Sequence, residues 1–362
     1  MTPKERVHAA LRKEPVDRVP IFMWFHPDTA KLLATELSIP ASGLSDAFGD
    51  DVHQTWVCNN QAMEGIVHEH DGEGHTDVWG IEWVKSGPFN QITYEPLKDA
   101  TPDEIRAYQY PRDHRDELFI PMQAVMETAG DYFIGCDVSP CLFEMLCRLC
   151  GMENAILCLA DDPELASHIL AGSGAFSREM AIEACERYPL DWLWTGDDVG
   201  GQNGMIMSPA TWRKLIAPHL APIMAVGKER GLWVAYHSCG GIRPIIPDLI
   251  EMGLDVLNPV QSNCPGMDPL ELKAEYGDDL AFMGGVDTQD LLPNGTSDDV
   301  KKECERLIEG MTGDGGGYIL AASHTIPPET PFDNIFALYD AAGVSEELIR
   351  DRAADIRARE SA

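Results

Sequence analysis

His237 and Cys239 form the sharpest chemical pair in the chain. Alternate residues of a strand point the same way, so an imidazole and a thiolate at this spacing can reach one cation. Neutral imidazole with thiolate suits zinc. Gly240 and Gly241 follow and let the backbone turn away, which keeps such a site open. A His-x-Cys pair alone also fits a purely structural role. What raises this one is its place, directly after an apolar run and before a glycine turn.

Other titratable residues stand in equivalent places. Asp197 and Asp198 follow the run 190–196, Gln261 follows 254–259, and Asp287 follows 279–285. Ser323 and His324 close the run 317–323. His324 is the candidate third metal ligand, with a metal-free acid/base role as the alternative. Asp197 or Asp198 could ligate the metal, carry a proton, or anchor a loop onto a helix. Tyr236, Gln261, Asp287 and Ser323 are the candidates for contact with substrate. Cys147-Arg-Leu-Cys150 lies inside a helical pattern, away from the strand-to-helix junction where a redox pair gains its low thiol pKa. It reads as core packing.

The elements that must position these groups alternate. Short β-branched or aromatic runs at 18–25, 51–58, 131–138, 190–196, 231–237, 254–259, 279–285 and 317–323 are separated by helical patterns. Eight such units predict a single (β/α)8 TIM barrel over residues 1–362, whose active site lies at the C-terminal strand ends. Ser208-Pro209 predicts a helix start, and Thr296 or Ser297 another. Cys304 falls on the inward face of the helix begun at Thr296. The segment 62–110 breaks the rhythm, and Asp71 to Trp83 pairs turn residues with period-2 alternation. It predicts a hairpin insertion over one barrel end.

Composition excludes several function classes. Sixty acidic against 27 basic side chains leave a net charge of −33. That opposes nucleic acid and anionic membrane surfaces as partners. No apolar stretch approaches the ~20 residues of a membrane span, and the N-terminus does not read as a signal peptide. A cytoplasmic setting follows, with ten reduced cysteines. There is no dinucleotide fingerprint, Walker A motif or nucleophile elbow. Asp51-Val-His53 begins like a corrinoid-binding D-x-H-x-x-G motif, but Trp56 stands where glycine is required.

Arg18-Val-Pro20, Gly196-Asp-Asp198, Tyr236-His-Ser-Cys-Gly240, Leu257-Asn-Pro-Val-Gln261, Met283-Gly-Gly-Val-Asp-Thr-Gln289 and Gly317-Tyr-Ile-Leu-Ala-Ala-Ser-His324 resemble, in order, the uroporphyrinogen decarboxylase superfamily. The resemblance implies one (β/α)8 barrel. It implies one of two chemistries. True decarboxylases hold a polycarboxylate porphyrinogen through an arginine-rich N-terminal segment, without metal. The matching place here reads Ile21-Phe-Met-Trp-Phe-His26, without arginine. The other branch holds zinc through His-x-Cys and a distant Cys, and exchanges methyl groups with a corrinoid protein. His237 and Cys239 match its first pair, and His324 stands in place of the distant cysteine. The branch implies zinc, a corrinoid on a partner protein, and a small methyl donor or acceptor (thiol, methyl ether or amine). It also admits a homodimer. The alternatives are a metal-free decarboxylase-type lyase and a tetrapyrrole- or corrinoid-binding protein without catalysis.

Overall fold

A computed structural model describes residues 1–58, 68, 70–313 and 315–360. The start of the expected insertion, 62–67, lies outside the described residues. The chain divides into two compact units. One takes residues 1–53, 130–133 and 255–362, and the other takes 54–129 and 134–254. In chain order the strands are β1 (Val52–Trp56), β2 (Gly74–Thr76), β3 (Glu82–Ser86), β4 (Phe89–Tyr94), β5 (Phe133–Asp137) and β6 (Trp192–Gly196). They continue as β7 (Gly200–Gly201), β8 (Gly204–Met205), β9 (Trp233–His237), β10 (Val256–Val260), β11 (Ala281–Val286) and β12 (Tyr318–Ala322).

In the unit that holds residues 54–129 and 134–254, β5, β6 and β9 run parallel. Every residue of β5 and β6 is buried, as parallel strands covered on both faces require. Their register sets Gly135 beside Trp192 and Gly196 beside His237. The helix Pro163–Arg187 follows β5 after two shorter helices, and Ala217–Glu229 leads into β9. Ser208 caps the helix Pro209–Leu215 with Pro209 at its first position. Trp212, Leu215, Ile216, Leu220, Ile223 and Met224 are all buried, which is the inward face the periodicity predicts. Within 62–110, β2, β3 and β4 form a three-stranded antiparallel sheet.

In the other unit, β10, β11 and β12 also run parallel, and β11 and β12 are buried throughout. Thr296 caps Ser297–Thr312 through a capping box with Asp299. Cys304 is buried on that helix. The first expected strand, 18–25, is reduced to two isolated parallel bridges, Ile21 with Leu320 and Phe25 with Ile326. The reason is local. Pro20 has no N–H to give, and the Ile21 N–H goes to the Asp51 carboxylate at 2.8 Å instead of a neighbouring carbonyl. Phe22 and His26 still donate to Leu320 and Ile326. The remaining seven expected strands appear, each within two residues of the expected bounds at either end.

Asp51 explains the Arg18-Val-Pro20 motif. Its carboxylate is fully buried and accepts from Arg6 at 2.6 Å and from Arg18 at 2.8 and 3.1 Å. Arg6 also grips Asp17, which holds that carboxyl well below its usual range. Next in sequence, Asp50 accepts from the Tyr339 hydroxyl at 2.8 Å, and burial pushes its pKa up to about 8. Among the described residues, no helix is long and apolar enough to cross a membrane.

Candidate metal centre

β6 and β9 end side by side, and the ligand types sit where they end. His237 is the last residue of β9, opposite Gly196, the last of β6. A Cβ at 196 would lie 3.0 Å from the Ser139 Cβ and 3.2 Å from the His237 Cβ, so glycine relieves the crowding at this strand end. Asp198 and Cys239 each lie two residues past their strand. The Cys239 N–H donates to Asp198 Oδ1 at 2.7 Å, which locks one turn to the other.

His237, Cys239 and Asp198 converge. His237 Nε2 lies 3.5 Å from Cys239 Sγ and 3.6 Å from Asp198 Oδ1. One donor atom from each falls within 4.8 Å of the others. Side-chain exposure of 21% for His237 and 37% for Asp198 leaves the group reachable from solvent. Imidazole, thiolate and carboxylate are the donor types of catalytic zinc sites, which take three protein ligands and leave one position for water or substrate. The residues fit the ion. His324 follows β12 in the other unit and is not one of these three donors.

Gly240 and the short hairpin of β7 and β8 fix the floor. Gly240 has φ +81°, and a Cβ there would meet the Gly201 nitrogen at 2.4 Å. Gly241 N–H donates to the Gly201 carbonyl at 3.0 Å. The expected glycine turn therefore packs backbone against backbone.

Asp197 has both carboxylate oxygens engaged. They accept from the Phe143 and Glu144 N–H groups at 2.9 and 2.8 Å, at the start of the helix Phe143–Cys150. Of the roles open to it, Asp197 thus takes that of an anchor, and the helix it holds is the one after β5. Burial, then the charge of Glu144, pushes its pKa up to about 8 against the pull of those two N–H groups. Tyr236 is fully buried and donates from its hydroxyl to the Asp197 carbonyl at 3.1 Å. Burial raises that phenol well above its ordinary range.

In the other unit, Asp287 accepts from the N–H groups of Gln289, Asp290 and Leu291. Gln261 and Ser323 are buried, and Ser323 Oγ lies 3.4 Å from both the N–H and the hydroxyl of Thr288. Cys147 and Cys150 lie in one helix, and burial raises both thiols, which does not suit a redox pair.

The sequence reading missed Glu144 and Arg148. Glu144 Oε2 accepts from the Asp198 N–H at 3.3 Å, and Glu144 Oε1 accepts from Arg148 at 3.3 Å. The Arg148 guanidinium lies 5.7 Å from the centre of the Trp83 ring in β3. Burial and the Asp198 charge raise the Glu144 pKa, opposed by Arg148 and His237. The available signal was two opposite charges four residues apart within an otherwise apolar helix, Phe143-Glu-Met-Leu-Cys-Arg-Leu-Cys150.

Comparison with known proteins agrees with this architecture. The family model for uroporphyrinogen decarboxylase (URO-D) matches residues 98–343. A methylated-thiol–coenzyme M methyltransferase of Methanosarcina mazei is 23% identical over 355 residues, covering 93% of this chain and 88% of the relative. The methylcobamide:CoM methyltransferase MtaA of Methanosarcina barkeri is 29% identical over 136 residues, 38% of this chain and 37% of that protein. A uroporphyrinogen decarboxylase of Thermus thermophilus is 28% identical over 133 residues, 36% of this chain and 35% of that one. A solved methyltransferase from Methanosarcina mazei shares the fold, with TM-score 0.71 at 19% identity over 95% of this chain and 98% of the other. The chain belongs to the uroporphyrinogen decarboxylase family, and a relative that matches it over nearly its whole length is a methyltransferase.

Proposed function

We propose that the chain is a zinc-dependent methyltransferase that moves a methyl group between a small substrate and a corrinoid carried by a partner protein. The observation that carries the reading is the Asp198, His237 and Cys239 group at adjacent strand ends. The methyltransferase relatives supply the reaction class. Zinc held there would act as a Lewis acid that keeps a substrate thiol ionised at neutral pH.

The chain's own residues divide the remaining work. His237 and Cys239 hold the ion, and Asp198 supplies the third donor while accepting the Cys239 N–H. Asp197 and Tyr236 hold the loop that carries Asp198. Among the residues of the other unit, His324 takes the role of acid or base in this proposal, and Gln261, Asp287 and Ser323 that of substrate contacts. The antiparallel sheet of β2 to β4 is the insertion that adjusts the rim for the partner. A polycarboxylate substrate is disfavoured, because 21–26 carries no arginine and the net charge is −33. A cytoplasmic setting is part of this proposal, and it suits ten cysteines kept as thiols.

The test is metal content by elemental mass spectrometry, on protein purified without chelator. About one zinc per chain is expected, absent from Cys239→Ala and reduced in Asp198→Ala. Retention in His324→Ala assigns that histidine to substrate, and loss makes it a ligand. Methyl transfer from methylcobalamin to a panel of thiols then reads activity. A metal-free wild type that transfers no methyl group overturns the proposal.

A further inference from the structure

We infer that Glu144, clamped by Arg148, is a positioning residue that fixes Asp198 relative to His237 and Cys239. The inference rests on the metal reading above and goes beyond it in one respect. It assigns part of the site's geometry to a helix that supplies none of the three donors.

The observation is a reciprocal clasp. Asp197 reaches with its side chain to the backbone N–H groups of Phe143 and Glu144. Glu144 reaches back with its side chain to the backbone N–H of Asp198. A loop and a helix start that each give a carboxylate to the other's backbone are fixed in translation and rotation, as in a capping box. The clasp ends on the donor itself, since Asp198 Oδ1 takes the Cys239 N–H and lies 3.6 Å from His237 Nε2. Moving the Asp198 amide therefore moves a donor.

Arg148 keeps Glu144 in place. It is buried, at 7% side-chain exposure, and lies one helical turn beyond Glu144. Its guanidinium packs on Trp83, whose indole N–H is held by Asp77 at 2.8 Å. A buried guanidinium held between an aromatic face and a carboxylate has little rotational freedom. The chain of contacts thus runs Trp83, Arg148, Glu144, Asp198, and every link lies in one compact unit.

Groups that orient metal ligands through hydrogen bonds change affinity by about 10–100-fold when removed. A cation held by the donors would favour the ionised Glu144 carboxylate, whose charge would in turn favour the cation. Glu144→Ala removes both effects. Glu144→Gln keeps an acceptor oxygen for the Asp198 N–H and removes the charge.

The experiment uses cobalt(II) as the probe, because its visible ligand-field band reports donor geometry. The full chain is titrated as wild type, Glu144→Ala, Glu144→Gln and Arg148→Met, with folding checked by circular dichroism. Glu144→Ala should bind cobalt about 10–100-fold more weakly with a shifted band. Glu144→Gln should restore the wild-type band while affinity stays reduced. Arg148→Met, which keeps a long side chain on Trp83, should shift affinity and band in the direction of Glu144→Ala by less. A folded Glu144→Ala with wild-type affinity and band overturns the inference. If that variant fails to fold, wild-type affinity and band in both Glu144→Gln and Arg148→Met overturn it. A wild type with no band overturns the metal reading and this inference together. A normal wild-type band with unchanged variants overturns this inference alone.

Discussion

Two clusters of carboxyl groups, one in each unit, are balanced in opposite ways. Around Asp51, two arginines meet one carboxylate, and Arg6 takes a second in Asp17. Around Asp198, Glu144 takes Arg148, Asp197 takes only backbone N–H groups, and Asp198 has His237 3.6 Å away. The first cluster neutralises itself with side chains and braces the segment at Arg18-Val-Pro20. The second has no arginine on Asp198, and stands at an accessible strand end where burial and mutual repulsion raise the pKa of Asp197 and Glu144. Compensated charge is what a structural network needs, because an unpaired buried ion is costly. A shortfall beside imidazole and thiolate is what a cation site needs.

The largest expected effect breaks the first half of this contrast. Asp51→Ala leaves Arg6 and Arg18 facing each other without their shared carboxylate, and should cost about 3–5 kcal/mol in chemical denaturation. A loss under 1 kcal/mol would remove the structural reading of that cluster. The second half is tested by zinc itself. At about 100 times its dissociation constant, zinc should stabilise the wild type by about 2.7 kcal/mol. A chelator should reverse the gain, Cys239→Ala should lack it, and any Asp51 variant that still folds should keep it.

A smaller effect concerns the neutral member of the first cluster. Asp50 titrates near 8 in the folded protein, against about 3.9 when unfolded. Between those values the folded state binds the extra proton, so this group's contribution to stability falls as pH rises from 4 to 8. The slope from one such group is at most about 1.4 kcal/mol per pH unit. Asp50→Asn should leave stability near pH 5 almost unchanged and flatten the decline toward pH 8. An undiminished decline would place the titration elsewhere. The smallest change is Tyr339→Phe, which removes the hydroxyl that donates to Asp50. It should cost about 1 kcal/mol, and an unchanged denaturation midpoint would remove that bond from the account.

Much of this arrangement was legible in the residue order. Runs of buried β-branched and aromatic residues marked β5, β6 and β9 to β12, and Ser208 and Thr296 marked helix starts, because these signals act within a few residues. His237 and Cys239 were legible for the same reason: strand periodicity turns their spacing into shared direction. The strand at 18–25 was overstated, since its pattern could not reveal that the Asp51 carboxylate would take the Ile21 N–H. Asp198 was visible as one of two adjacent carboxylates. Which of the two faces the donors depends on Asp197 turning back to the helix at Phe143, more than fifty residues earlier. Glu144 and Arg148 escaped notice because a helical position carries no mark of the loop it will meet.

The glycine floor beneath the donors makes one further demand, on sequence change over time. A Cβ at 200 would strike the Cys239 carbonyl at 2.4 Å, and one at 240 would strike the Gly201 nitrogen at the same distance. Backbone atoms cannot yield as a flexible side chain can. In a saturation library selected for metal retention, positions 200 and 240 should therefore return glycine almost alone, while the exposed and φ-positive Gly231, where an added Cβ meets nothing within 4 Å, admits asparagine. The floor of the site is then its least evolvable part, and changes of specificity would have to arise on its walls.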